Sequence, residues 1–494
     1  MLKLKQVHID THRENVAFLH LNCTAYRADE LQAIQKIEVA CGPRKILATV
    51  NLVGNGQIVA PGEIGLSEQA FHLLGLKDGT EVEIAPAAPP HSLQWVRAKI
   101  QGETLSGKAF KEIIADVAAH RYSKMELAAF LVSCAGFMTA DEVLSLTRAM
   151  AGEGTRLSWS EPLVVDKHCI GGIPGNRTTM VVVPIVAAYG LPIPKTSSRS
   201  ITSPAGTADT MEVLANVNLG ISQMQELVLK ERGCLAWGGH MNLAPADDVM
   251  ISVERPLNID TPEQMVASIL SKKISAGSTH LVIDIPVGPA AKVTSRPDAV
   301  RLRKLFEYVG GKLGLVMEVI ITDGSQPIGN GIGPVLEARD VMKVLRREPD
   351  APLDLREKSL MLAGMVLDFD PALPGKAGYA RAKEILDSGQ ALASMEAIID
   401  AQGRNLNPPR LGEMSFEVSA TRTGVVQTID CYAISQLAQT AGAPQSPGAG
   451  VDLFKKVGDA VKKGEPLYRV YSVFKSDFAF AKEMAKRGSG YVIG

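Results

Sequence analysis

From residue 163 onward the sequence alternates short apolar stretches of strand length with longer stretches of helical period, and that rhythm admits few architectures. Strands are expected at 163–165, 281–285 and 315–321, and helices at 179–189, 207–214, 262–276 and 297–312. Such alternation builds a layered βα domain, in which ligands gather at the C-terminal ends of the strands. Ser295 is a good N-cap for the helix after 296, and Pro297 stands in its first turn, where a helix tolerates proline best.

The flanking segments read differently. Residues 1–84 give short β segments at 3–9, 15–21, 37–40, 46–53 and 81–84, with one helix at 67–76. The stretch Ala85-Pro86-Ala87-Ala88-Pro89-Pro90 has linker chemistry, because its prolines cannot donate to a ladder. A helical block follows, in which Phe110, Ile113, Ile114 and Val117 keep one face apolar. Ser123 with Glu126, and Thr139 with Glu142, are capping-box pairs, and the block ends at Gly152-Glu153-Gly154. After about residue 410 short β segments return, at 424–429 and 466–471, with tight turns at Gly458-Asp459 and Lys463-Gly464. A chain of 494 residues is too long for one core, so a multidomain α/β protein is expected.

Charge and cysteine usage exclude several function classes. The formal net charge is −1, so no global field would hold nucleic acid or an anionic membrane. No window has the apolar length of a bilayer span, and residues 1–22 lack the apolar core of a signal peptide. The six cysteines form no CxxC pair, which fits a reduced cytoplasm and argues against a zinc cage. The expected location is cytoplasmic, with no metal and no cofactor.

Four places can carry chemistry. In the first, an apolar strand runs into Asp166-Lys167-His168-Cys169, then a Gly-rich loop with Gly171, Gly172 and Gly175, then Asn176, Arg177, Thr178 and a helix. Glycines let backbone amides approach an anion, and a helix N-terminus adds a favourable field. Lys167 and Arg177 offer charge and Thr178 a hydroxyl; neither GxxxxGK[ST] nor GxGxxG is present, and a plain tight turn is the alternative. In the second, Thr196, Ser197, Ser198, Ser200, Thr202 and Ser203 put six hydroxyls around Arg199, with Ile201 between them and Thr207 beyond. Hydroxyls and a guanidinium suit phosphate and sugar oxygens, while a solvated loop satisfying its own backbone is the bland reading. In the third, Asp260 precedes a helix on which Ser268 and Lys272 share a face; an N-cap and a surface pair are the alternatives. The fourth is Lys292, after the strand at 281–285, either an exposed lysine or a ligand contact. His168 gains interest from its place beside Lys167, whereas Cys169 has no partner pattern for thiol catalysis.

The Asp166-Lys167-His168 run followed by Gly171-Gly172 resembles the signature of the thymidine/pyrimidine nucleoside phosphorylase family. The wording from Asp166 through Met211, the helix 267–273, the segment Asp323-Gly324-Ser325-Gln326-Pro327-Ile328-Gly329 and Gly448-Ala449-Gly450-Val451 are similar to its longer, AMP-phosphorylase-like branch. The resemblance spans about residues 95–494. It implies a helical domain from 95–162 with 245–278, an α/β domain from 163–244 with 279–410, and a small α+β domain at 411–494. It also implies that the β-rich module 1–90 serves assembly of a homodimer or larger homo-oligomer.

Carried over by position, the resemblance assigns nucleotide contacts to Gly172, Ser198, Arg199, Ser200, Ile201, Thr202, Ser203, Thr207, Ser268 and Lys292, and base contacts to Ser268 and Lys272. Lys167, Thr178 and Thr207 match positions that hold inorganic phosphate, Asp260 matches a proton donor, and His168 is the other candidate for assisting the leaving base. Three departures stand out: Cys169 replaces a phosphate-binding serine, Arg255 lies two residues closer to Ser268 than the family's arginine, and the 198–203 run replaces a Gly-richer loop.

The expected reaction is phosphorolysis of a nucleoside 5′-monophosphate (AMP, CMP or UMP) or, as the alternative, of thymidine, with inorganic phosphate as co-substrate. A phosphoribosyltransferase such as anthranilate's would need acidic magnesium ligands where this chain has Asn176 and Arg177. A non-catalytic nucleotide sensor would bind without turnover.

Overall fold

The computed structural model describes residues 1–494 except 12–13, 24, 28–35, 201–202, 242, 258 and 260, and the side chains of His240 and Arg255. Internal contacts divide the chain into two units, Met1–Glu153 with Ala244–Ser268, and Gly154–Leu243 with Ile269–Gly494.

The first unit begins with a closed barrel of strands β1 (Leu2–Gln6), β2 (Val16–His20), β3 (Lys36–Cys41), β4 (Arg44–Val53), β5 (Glu63–Leu66) and β6 (Glu81–Pro86). The order around it is β1-β5-β2-β4-β3-β6, and Leu2 opposite Val82 closes the ring. Alternate residues point inward, so Leu2, Leu4, Ile37, Val39, Ile46, Ala48, Val50, Ile64, Leu66, Val82 and Ile84 fill one core. Four of the five expected strand positions at 1–84 lie within a residue or two of observed strands, and the first stops at Gln6 rather than residue 9. The short β5 has no counterpart in the sequence reading, and its Gly65 is required because a Cβ there would lie 2.6 Å from Val7 Cγ1. The helix Glu68–Leu74 ends on Gly75 in the left-handed conformation, before the expected stop at 77–79.

Helices Leu93–Ile100, Gly107–Ala118, Lys124–Gly136 and Ala140–Glu153 then pack with Pro245–Leu257. Their common core takes Phe110, Ile113, Ile114 and Val117 from the first segment and Ala246, Met250, Val253 and Ala267 from the second. Both capping boxes form: Ser123 Oγ accepts from Glu126 N at 3.2 Å, and Thr139 Oγ1 accepts from Glu142 N at 3.2 Å. Residues 154–162 and 269–278, expected with these helices, belong by contact to the second unit. There Leu157 N–H donates to Ser275 O at 2.7 Å and Trp159 Nε1–H to Ala276 O at 2.8 Å.

The second unit holds parallel strands β7 (Val165–Cys169), β8 (Ile193–Ser197), β9 (Gly233–Trp237), β10 (His280–Val287) and β11 (Val316–Asp323). They form the sheets β11-β10-β7 and β8-β9, and Val165 N–H to Pro192 O at 3.0 Å brings β7 beside β8. The helix Thr178–Tyr189 is apolar all round because it is buried among Pro334–Arg346, Leu353–Leu367, Gly378–Asp387 and Gln390–Gln402.

One element differs from its expectation in a way that matters for the site. The strand expected at 163–165 instead runs from Val165 to Cys169, so Asp166, Lys167 and His168 lie in the sheet rather than after it. Charged residues can occupy a buried strand when each has a partner, and the partners come from distant chain segments.

The remaining strands are β12 (Gly331–Ile332), β13 (Met414–Ser419), β14 (Gly424–Ile429), β15 (Gly450–Leu453), β16 (Ala460–Val461), β17 (Pro466–Ser472) and β18 (Tyr491–Ile493). They make the antiparallel sheets β12-β15-β17-β13 and β16-β14-β18, covered by helices Cys431–Thr440 and Lys475–Arg487. The strand β12 comes from outside the segment expected to form this domain. No helix among the described residues is long and apolar enough to cross a membrane.

Candidate active site

The strand β7 sends alternate side chains to opposite faces, and each face has its own charge network. On one face Asp166 is fully buried, accepts from Lys273 Nζ at 2.6 Å and pairs with Lys195 Nζ at 3.3 Å. Burial alone would raise the Asp166 carboxyl; Lys195 and Lys273 overcome that and hold it below the usual carboxylate range. His168 shares this face. Burial, reinforced by the positive field of Lys195, Lys273, Lys272 and Lys167, holds its imidazole well below the ordinary histidine range. It is therefore neutral at physiological pH, able to donate one hydrogen bond and accept another.

On the other face Lys167 is 1% exposed, and its Nζ donates to Thr178 Oγ1 at 2.8 Å and reaches Thr179 Oγ1 at 3.5 Å. Burial lowers its pKa, opposed by Cys169 and Asp284. Asp284 lies across from Cys169 on β10, accepts from Thr322 Oγ1 at 2.5 Å, and pairs with Lys358 Nζ at 3.1 Å. Burial raises the Cys169 thiol, which receives the amide of Asn176 at 3.2 Å and is no activated nucleophile.

Between β7 and the helix Thr178–Tyr189, the chain turns through Gly171, Gly172 and Gly175 at φ +96°, +93° and +73°. A Cβ on Gly172 would lie 2.6 Å from Lys292 N, so the loop 171–175 closes onto the backbone of Lys292, whose side chain is exposed. Arg177, 8% exposed, links the loop to two further elements. Its Nη1 donates to Thr207 Oγ1 at 3.0 Å, its Nη2 donates to Ala205 O at 2.9 Å, and its Nε pairs with buried Glu337. Thr178 and Thr207 each open a helix. These bonds bring Lys167, the hydroxyls of Thr178 and Thr207 and the glycine loop together, with the guanidinium of Arg177 engaged by Thr207, Ala205 and Glu337.

The described residues of the 198–203 run make contacts of their own. Arg199 forms a two-pronged pair with Glu212 at 2.5 and 2.7 Å, reaches Asp209 at 3.3 Å, and lies 4.9 Å from the Trp237 ring centroid. Asp209 Oδ2 accepts from Ser200 N at 2.7 Å and Gly206 N at 2.8 Å. Ser200 Oγ donates to Ser203 O, and Ser203 Oγ donates to Ala205 O at 2.9 Å; Ser198 is exposed. Ile201 and Thr202 lie outside the described residues, as does Asp260. Ser268 and Lys272 are both half-buried on one face of the helix Pro262–Ser275. No three His, Cys, Asp or Glu side chains cluster as metal ligands among the described residues.

Three family models match the chain: "Glycosyl transferase family, a/b domain" over residues 161–392, "Glycosyl transferase family, helical bundle domain" over 93–154, and "Pyrimidine nucleoside phosphorylase C-terminal domain" over 425–491. A protein of Methylococcus capsulatus named "Putative thymidine phosphorylase" is 60% identical over 494 residues, covering all of this chain and 96% of that one. Two similarly named Bradyrhizobium proteins, from strains ORS 278 and BTAi1, are 58% and 59% identical over 492 residues; they cover 100% and 99% of this chain, and 97% and 96% of theirs.

The chain belongs to the thymidine/pyrimidine nucleoside phosphorylase family. It is a pentosyltransferase of the phosphorylase type. Anthranilate phosphoribosyltransferases of Thermus thermophilus and Saccharomyces cerevisiae share the fold, with TM-scores of 0.52 and 0.50. They are 20% and 14% identical, and the matches cover 62% and 64% of this chain and 98% of each of theirs. At that identity the likeness concerns fold alone.

Within this family setting, sequence reasoning passed over the residues that hold the site residues in place. Lys195, Lys273, Asp284, Lys358 and Glu337 are the buried counter-charges. Asp284 carried a readable signal, since a carboxylate inside the apolar run Leu281–Ile285 must have a buried partner. The rest gave no local sign.

Proposed function

We propose that this protein cleaves thymidine with inorganic phosphate, giving thymine and 2-deoxyribose 1-phosphate. The observation that carries the reading is Lys167, buried against Thr178 at a helix N-terminus beside the glycine loop, in a chain whose relatives bear the thymidine phosphorylase name. Cleavage of the C1′–N bond builds positive charge on the sugar and negative charge on the base. Lys167, Thr178, Thr207 and the amides of the loop 171–175 hold phosphate below C1′, oriented and desolvated. By position in the family, Ser268 and Lys272 are the candidates for contacting the base. His168, neutral, donates a hydrogen bond to the base as its charge develops, and Asp260 is the candidate for delivering the proton.

A nucleoside 5′-monophosphate is the second reading, and it depends on the 198–203 run. Arg199 is the one cation of that run, and it is engaged by Glu212 and Asp209. A 5′-phosphate there would have to displace a carboxylate pair, which favours the nucleoside. The barrel at 1–86 is assigned to assembly of a homo-oligomer, which light scattering of the intact and barrel-truncated chains tests.

The deciding experiment is release of free base from thymidine, uridine, AMP, CMP and UMP, with and without phosphate. Phosphate-dependent release from thymidine supports the proposal. Release from the monophosphates alone would replace it with the nucleotide reading.

A further inference from the structure

The segment between β11 and the helix Pro334–Arg346 is held from two sides within the second unit. On one side it backs the glycine loop. Ile328 N–H donates to Pro174 O at 3.2 Å. A Cβ on Gly175 would run into Ile328 O and lie 3.0 Å from Gly331 O, so loop and segment touch backbone to backbone. A Cβ on Gly324 would lie 2.8 Å from Ile173 Cδ1, so this end of the segment packs against the loop's side chain.

On the other side stands the C-terminal domain. Gly331 and Ile332 pair with Asp452 and Val451 as the edge of its sheet. Val457 N–H donates to Gln326 Oε1 at 3.0 Å. Lys456 Nζ donates to Pro327 O at 2.6 Å, to Gly329 O at 2.6 Å and to Asp354 Oδ2 at 2.9 Å. Gly329 N–H returns to the same carboxylate at 3.2 Å. An ammonium group has three N–H bonds, and these acceptors take all of them. Two of the acceptors are the carbonyls flanking Ile328, whose own carbonyl meets Gly175.

We propose that Lys456 is a positioning residue for inorganic phosphate, fixing the Pro327–Ile328–Gly329 backbone against which the glycine loop closes. The inference rests on the reading that this loop and Lys167 hold phosphate, and it gives the C-terminal domain a part in substrate binding. Without the ammonium, the Pro327 and Gly329 carbonyls and Asp354 lose their common donor and move apart toward water. The backing of the loop 171–175 then loosens, and a shift of about 1 Å at a substrate-positioning element costs up to ~100-fold in rate.

The test uses the full chain as wild type, Lys456→Met, Asp354→Asn, Lys167→Met and, as control, Lys455→Met, whose ammonium pairs with Glu465 at 2.6 Å inside the C-terminal domain. Phosphate binding is measured by calorimetry, and KM for phosphate and for the nucleoside by initial rates. Lys456→Met is expected to weaken phosphate about tenfold while nucleoside KM stays within about twofold. Asp354→Asn should move phosphate in the same direction, and Lys455→Met should match wild type. Unchanged phosphate affinity in both Lys456→Met and Asp354→Asn overturns the inference, as does an equal rise in both KM values. If Lys167→Met also binds phosphate like wild type, the phosphate-loop reading itself fails; if only Lys456→Met is silent, the positioning role alone fails.

Discussion

Replacing Lys167 by methionine should separate binding from folding. The ammonium sits 2.8 Å from Thr178 Oγ1 in a place water barely reaches, and burial pushes its pKa down. A lowered lysine pKa means that the charged form costs the folded protein free energy. That cost is fully present below the folded pKa and is relieved as pH rises toward the unfolded value. Methionine has similar length and no charge. Thr178 Oγ1 keeps its bond to Asn176 Oδ1 at 3.2 Å, and Asp284 keeps Lys358 at 3.1 Å. The variant should therefore be at least as stable as wild type at neutral pH. Phosphate binding moves the other way. A hydrogen bond to a charged group contributes about 1.5–3 kcal/mol, which corresponds to roughly 10- to 150-fold in affinity. Urea unfolding of the apo proteins and KM for phosphate at saturating thymidine read the two effects. A loss of more than about 2 kcal/mol of stability with phosphate KM unchanged would refute the reasoning, making Lys167 a structural charge.

Asp166→Asn should cost about 3–5 kcal/mol in urea unfolding, because Lys195 and Lys273 would be left buried without a counter-charge. Lys272→Met should raise nucleoside KM about tenfold, near 1.4 kcal/mol, without changing phosphate KM; an equal rise in both would remove Lys272 from the base site. Lys36 has its pKa pushed down to about 8 by burial, against the pull of Glu126 and Glu14. Between about pH 8 and 10.5 the unfolded chain holds a proton that the folded one has released, so stability should rise with pH in that window. Denaturation midpoints measured below and above pH 8 should show that rise in wild type and lose it in Lys36→Met.

What was legible in the sequence was local. The capping boxes at Ser123 and Thr139 are complete within four residues each, so the chain announces them. The helix at Ser295–Pro297 and the glycine loop are signals of the same kind. Features made by distant partners were not legible. Asp166 sits in a buried strand with its charge met by Lys195 and by Lys273, 107 residues away. The barrel closes through Leu2 and Val82, and β12 joins a sheet whose other strands begin at residue 414. Arg199 in the 198–203 run makes the same point: nothing beside it in the sequence announces its partners, and Asp209 and Glu212, on the helix that follows, hold its guanidinium.

The central claim is that phosphate, not water, attacks C1′ of thymidine. The direct measurement is ³¹P NMR of a reaction containing thymidine, inorganic phosphate and the enzyme, with thymine followed in parallel. The account predicts a new phosphate monoester resonance, that of 2-deoxyribose 1-phosphate, growing in step with thymine and absent when phosphate is omitted. Thymine released equally without phosphate, or no thymine at all, would contradict it.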